Sequence, residues 1–221
     1  EGFDAISFPD DNPFSLAKWT LGKKLFFDPA LSIDYSKSCA SCHGPEIAFS
    51  DNQPTSKGAE GRDGTRNSPS LANVAFHPYY TREGGVPTLE MQALVPIQEH
   101  NEFGFNIVEI CDRLNERTDY VGLTKEAFET EMTPFALTRA LATFERTLIS
   151  GNSSYDRYTY EGQYGILSGE EIAGKELFFS DRLKCSQCHS GVFFTSFDFA
   201  NNGLKEIYED DGRMRLTGLE E

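Results

Sequence analysis

Cys39-Ala40-Ser41-Cys42-His43 is the stretch that decides the fold, and Cys185-Ser186-Gln187-Cys188-His189 repeats its spacing and order. Two thiols three positions apart can each form a thioether with one of the two vinyl groups of a single haem. The histidine beside the second thiol then reaches the iron as an axial ligand. A bare C-x-x-C is weaker, because it also suits zinc sites and thioredoxin-like redox pairs. Zinc needs its two cysteine pairs close in sequence or joined by a ribbon spacing, whereas Cys42 and Cys185 lie 143 positions apart. The spacing therefore predicts two covalently bound haems, one held by Cys39, Cys42 and His43, the other by Cys185, Cys188 and His189.

Words outside the motifs repeat as well. Gly22-Lys23-Lys24-Leu25-Phe26-Phe27 precedes the first motif and Gly174-Lys175-Glu176-Leu177-Phe178-Phe179 the second. The offset is 152 residues between these words and 146 between the leading cysteines, so the first connector is six residues longer. Helix, short connector and haem attachment, twice over, make an internal duplication. The expected fold is mainly α, with two cytochrome c-like haem domains at 1–158 and 159–221.

Within that frame, Asn12-Pro13 reads as an N-cap with proline at the first helical position, and Asp28-Pro29 as the stop. Residues 44–69 read as a loop without sustained periodicity, placed to cross the open face of the first haem. Further helices are expected at 89–94, from 106 to about 117 and from 133 to about 149. The stretch 151–167 reads as a linker, and Ser168 with Glu171 as a capping box opening the second unit. Cys111 falls in the stripe Ile107, Ile110, Cys111, Leu114 and is expected to be a buried packing residue, as are Met91 and Met132.

Twenty basic against 35 acidic side chains leave a net charge of −15, which argues against a nucleic-acid partner bound through counterion release. The acidity suits solubility or the docking of a basic redox protein. No apolar run approaches the roughly 18 residues of a membrane span, and Glu1-Gly2-Phe3 opens without a leader.

GKKLFFDPALS (22–32), TRNSPSLANVAF (65–76), TLEMQALVPI (88–97), NEFGF (101–105), AGKELFF (173–179) and the stretch from NNGL to GRMRLTG (201–218) follow one another in order. Together with the haem motifs, this series resembles the bacterial dihaem cytochrome c peroxidases and their MauG-type relatives. The resemblance implies an enzyme that reduces hydrogen peroxide to water with electrons from a small soluble donor, a cytochrome c or a cupredoxin. It also implies a periplasmic protein whose export signal has been cleaved, and it is compatible with a homodimer. In the family, peroxide reacts at the haem that His43 would hold, and the haem of His189 would accept the donor's electrons.

Peroxide cleavage needs an open iron position and a group that carries a proton from one oxygen to the other. The family's acid–base glutamate matches Glu102, its distal-pocket amide and proline match Gln92 and Pro96, and the side-chain ligand of a calcium ion matches Asn67. Read without the family, Glu102 is one of 35 acidic residues and Asn67 a turn residue. The second haem's distal ligand, a methionine or a tyrosine in the family, comes from sequence beyond Glu221, so the second domain is expected to be incomplete here. Met214 falls in a segment that supplies no ligand.

Two departures stand out. Ala59 occupies the position of a histidine that caps the peroxidatic iron in many relatives, and Arg82 that of a tryptophan between the haems. His77 and His100 are the histidines left to replace the first, and Tyr79 or Tyr80 the rings left to replace the second. Two rival readings stay open: a MauG-type enzyme that oxidises residues of a partner protein, and a dihaem electron carrier with no substrate. With alanine at position 59, the first haem is expected to rest five-coordinate or water-bound and to need no reductive activation. Absorption and electron paramagnetic resonance spectra of the oxidised protein should then show one high-spin haem; two low-spin haems, each with two protein ligands, would contradict this.

Overall fold

The structure, a computed structural model, describes residues 2–219. Its first compact unit spans Ser7–Ile149. Ser15 accepts a hydrogen bond from the Lys18 amide and opens α1 (Leu16–Phe27), which Asp28 closes. The cap thus lies three residues beyond Asn12, contrary to the sequence expectation. Asn12 is fully buried instead: its Nδ2 donates to Glu90 Oε1 at 2.9 Å and to the Arg139 carbonyl at 3.1 Å. Arg146 forks onto the same carboxylate at 2.6 and 3.0 Å. A buried charge costs heavily unless it is paired and hydrogen-bonded, and Glu90 is both.

Six further helices complete the frame of this unit among the described residues. The single turn α2 (Cys39–Cys42) carries the first cysteine pair, and α3 (Leu89–Gln92) and α4 (Leu94–Gln98) stand where one short helix was expected. Asn106 caps α5 (Ile107–Asn115), whose Ile107, Ile110, Cys111 and Leu114 are all buried as the stripe predicts. Helix α6 (Thr118–Phe128) follows where none was expected. Its β-branched residues and Gly122 depress helix propensity, but Tyr120 is fully buried and donates from its hydroxyl to Asp28 Oδ2 at 2.9 Å. Tertiary packing has overridden local preference.

A sixth, α7 (Pro134–Glu145), begins at the expected Thr133 cap and packs along α1. The approach is so close that a Cβ on Gly22 would sit 1.9 Å from the Ala140 carbonyl oxygen, which explains the glycine in the GKKLFF word. Leu21, Leu25 and Phe26 of α1 meet Leu137 and Leu141 of α7 and Ile110 and Leu114 of α5 in the core. Each such side chain contributes about 1.5–3 kcal/mol by leaving water. Met132 belongs to this core, but Met91 is 50% exposed and packs nothing away.

In the second compact unit, which draws on residues 2–6 and 150–219, lie α8 (Ser154–Tyr160), α9 (Gly169–Phe178) and α10 (Met214–Thr217). Ser168 and Glu171 form the expected capping box, whereas α8 occupies part of the stretch expected as a linker. Among the described residues β-structure is limited to isolated bridges, and no helix is long and apolar enough to cross a membrane.

Candidate functional site

The first motif is held by its own backbone. Ser38 N donates to Ser41 Oγ at 3.0 Å, and the His43 amide donates to the Cys39 carbonyl at 2.9 Å, closing the single turn of α2. Residues three apart on a helical turn share a face, so Cys39 and Cys42 present their thiols to the same side. The chain then turns back through Ala48 and Phe49, both left-handed at φ +57°. This turn brings the Phe49 carbonyl 2.9 Å from His43 Nδ1. A carbonyl only accepts, so Nδ1 carries the proton and Nε2 keeps the lone pair that a metal takes. Burial lowers the pKa of His43, which favours the neutral, ligating form.

The second motif repeats the arrangement in its own unit. His189 N donates to the Cys185 carbonyl at 2.9 Å, and His189 Nδ1 lies 3.1 Å from the Phe194 carbonyl. Phe194 is also left-handed, at φ +53°. Even the aromatic support recurs: Phe49 meets Phe26 edge-on at 6.2 Å, and Phe194 meets Phe178 at 5.8 Å. Left-handed backbone is costly for a phenylalanine, and its use in both copies marks a constraint that the turn must meet.

These residues fit a haem at each motif. All four cysteines are free, and burial pushes the Cys39 and Cys42 thiols up, so they stay protonated. Each histidine is oriented by a backbone carbonyl at Nδ1.

The loop 99–104 carries Glu102. Glu102 N and Gly104 N both donate to the Glu99 carbonyl at 3.0 Å, Phe103 N donates to the Pro96 carbonyl at 3.0 Å, and Ala59 N donates to the Glu102 carbonyl at 2.7 Å. With its backbone tied on every side, the exposed Glu102 side chain is what the loop offers. Crowding by neighbouring atoms, and then the charge of Glu99, raises the Glu102 carboxyl above the ordinary range. Its charge is among the smaller causes that raise the Cys39 and Cys42 thiols, so the carboxylate lies in the neighbourhood of the first motif. Pro96 anchors the same loop, and Gln92 lies half-buried at the end of α3.

The other singled-out residues lie as follows. Ala59 is fully buried, and its methyl group cannot ligate. His100 is engaged by Arg62, whose Nη1 lies 2.6 Å from the ring Nδ1, and His77 is half-buried with a pKa lowered by that burial. Asn67 does not fit a calcium ligand as placed: Arg82 donates to its Oδ1 and, at 3.3 Å, to its carbonyl, so a guanidinium already faces both oxygens.

Sequence reading passed over Phe49, Phe194 and Glu145. Laying the two copies side by side signals the first two, since each motif is followed five or six residues later by a phenylalanine. Nothing local marks Glu145, which ends α7 buried, with Oε2 lacking a hydrogen-bond partner. Burial, opposed by Arg146 and aided by Glu90, pushes its pKa up to about 8.

A sequence model described as di-haem cytochrome c peroxidase matches residues 16–164. The chain is 35% identical over 204 residues to the methylamine utilization protein MauG of Methylorubrum extorquens, covering 91% of this chain and 57% of that protein. It is 33% identical over 206 residues to the cytochrome c551 peroxidase of Nitrosomonas europaea, covering 90% of this chain and 60% of that one. The chain thus spans a little over half the length of these relatives. A crystal structure of a MauG-like protein associated with microbial copper homeostasis superposes with a TM-score of 0.87 at 29% identity, covering 99% of this chain and 69% of that one.

Glu145 gives the site a stability signature. Its pKa is about 8 in the fold against 4.5 ordinarily, so the native state holds the proton more tightly than the unfolded chain. That contribution is complete below pH 4.5 and is lost as pH rises through about 8. Denaturant unfolding should show Glu145→Gln gaining on wild type by a few kcal/mol, order of magnitude, between pH 5 and 9. A constant difference across that range would contradict the assignment.

Proposed function

The chain belongs to the di-haem cytochrome c peroxidase family, and from that premise we propose that it reduces hydrogen peroxide to water with electrons from a small soluble donor, a cytochrome c or a cupredoxin. In this reading Cys39 and Cys42 attach the first haem covalently and His43 Nε2 ligates its iron, while Cys185, Cys188 and His189 do the same for the second. The unit of residues 7–149 is the peroxide-reacting domain, and the unit that draws on 2–6 and 150–219 belongs to the electron-accepting one. Attachment of c-type haem places the protein outside the cytoplasmic membrane. When bound, each haem supplies an iron that takes and passes single electrons.

The observation that carries the proposal is Glu102, a carboxylate with a raised pKa, on a loop fixed by backbone bonds, acting on the two cysteines of the first motif. Reduction of one peroxide consumes two electrons and two protons and yields two waters. Glu102 takes the proton from one peroxide oxygen and returns it to the other, so that water rather than hydroxide leaves. It must start ionised, and turnover therefore rises with pH through its raised pKa. Gln92 orients the peroxide with its amide, and Pro96 walls the pocket while holding the Phe103 amide.

Ala59 supports a second reading. With a buried methyl in place of a capping imidazole, and 35% identity to a MauG protein, the same open site suits a MauG-type oxidation of residues in a partner protein. Peroxide-dependent oxidation of a reduced cytochrome by the dihaem protein separates the readings. Glu102→Gln should retain both haems and lose about 10²- to 10⁴-fold of that turnover. Unchanged turnover in this variant would overturn the role given to Glu102.

A further inference from the structure

The segment 58–62 and the loop 99–104 are joined by more than the bond from Ala59 N to the Glu102 carbonyl. Gly58 lies so close that a Cβ there would be 2.1 Å from the Asn101 carbonyl oxygen and 2.7 Å from that of Glu102. Arg62 then crosses the seam. Its Nε donates to the Ala59 carbonyl at 3.0 Å, its Nη1 lies 2.6 Å from His100 Nδ1, and its Nη2 lies 3.3 Å from Glu60 Oε2. The guanidinium rests against the backbone of Gly104, at φ +60°, where a Cβ would be 2.6 Å from Nη2. Glu60 is itself tied down, its amide donating to Asp34 Oδ2 at 2.8 Å. Only 16% of the Arg62 side chain is exposed.

We infer that Arg62 is a positioning residue that locks the segment 58–62 onto the loop 99–104, so that Glu102 stands in place before any substrate arrives. Immobilising a long side chain costs entropy, and a planar fork loses less of it per bond than a flexible amine does. Arg62 hydrogen-bonds the Ala59 carbonyl on one segment and His100 on the other, while Nη2, buried without a hydrogen-bond partner, faces Glu60 as an ion pair. Glycine is needed at position 58, where any side chain would push the segments apart, and at position 104, where φ is +60° and a side chain would displace the guanidinium. His100 can accept from Arg62 only through an unprotonated ring nitrogen, which also commits that ring to the clamp. The inference rests on the reading of Glu102 as the proton carrier.

Two measurements on the dihaem protein test it. In Arg62→Met, the Ala59 amide should lose hydrogen-exchange protection. The acid limb of peroxide turnover should move toward the ordinary glutamate range, with kcat/KM down on the order of 100-fold. Arg62→Lys should retain part of the protection and of the rate. Should Arg62→Met fail to fold or load haem, Gly104→Ala reads the same contact, because its methyl group displaces the guanidinium. Protection and acid limb unchanged in the folded variant would overturn the inference. Full turnover in Glu102→Gln would instead overturn the role of Glu102 as proton carrier, while amide exchange at Ala59 still judges the clamp.

Discussion

The hydrogen bond between a histidine ring and the carbonyl of a phenylalanine a few residues later is the constraint on which the rest depends. In the first unit it joins His43 Nδ1 to Phe49, and in the second His189 Nδ1 to Phe194. Each bond decides which ring nitrogen carries the proton, and so which one can meet a metal. Each also goes with a phenylalanine in left-handed backbone, a cost offset by the edge-on contact of its ring with a phenylalanine near the end of the preceding helix, Phe26 or Phe178. The helix words GKKLFF and GKELFF therefore serve the motifs that follow them. They supply the aromatic surface that holds the histidine's partner.

In the same unit, the loop 99–104 is held by backbone bonds rather than by a side-chain network. The backbone around Glu102 is fixed: the carbonyls of Pro96 and Glu99 accept from the amides of Phe103, Glu102 and Gly104, and the Ala59 amide donates to the Glu102 carbonyl. The loop thus presents a carboxylate whose pKa is raised, first by the atoms crowded around it and then by the charge of Glu99. Family membership and this geometry point the same way. The substitution of alanine at position 59 does not leave a gap, since the methyl is buried and the amide is used.

Most of what is local was legible in the sequence. The haem motifs, the duplication, the buried stripe of α5, the Thr133 cap and the Ser168–Glu171 box each depend on residues within a turn or two of one another. What escaped was set by distant partners. Asn12 looks like a cap, but it is claimed by Glu90, 78 positions away. Helix α6 has poor propensity and exists because Tyr120 reaches Asp28 across 92 positions. Arg62 and His100 look like surface charges until the fold brings two loops 38 positions apart into contact. Glu145 follows Phe144 on a helix face that reads as ordinary core, and only the fold reveals a carboxyl there without a partner for Oε2.

The most direct test of the carbonyl anchor is nuclear magnetic resonance of the dihaem protein labelled with nitrogen-15 histidine. The ring resonances of His43 and His189 should each show a slowly exchanging proton on Nδ1, with the iron on Nε2. Iron on Nδ1, or a ring proton that exchanges as freely as in water, would contradict the account.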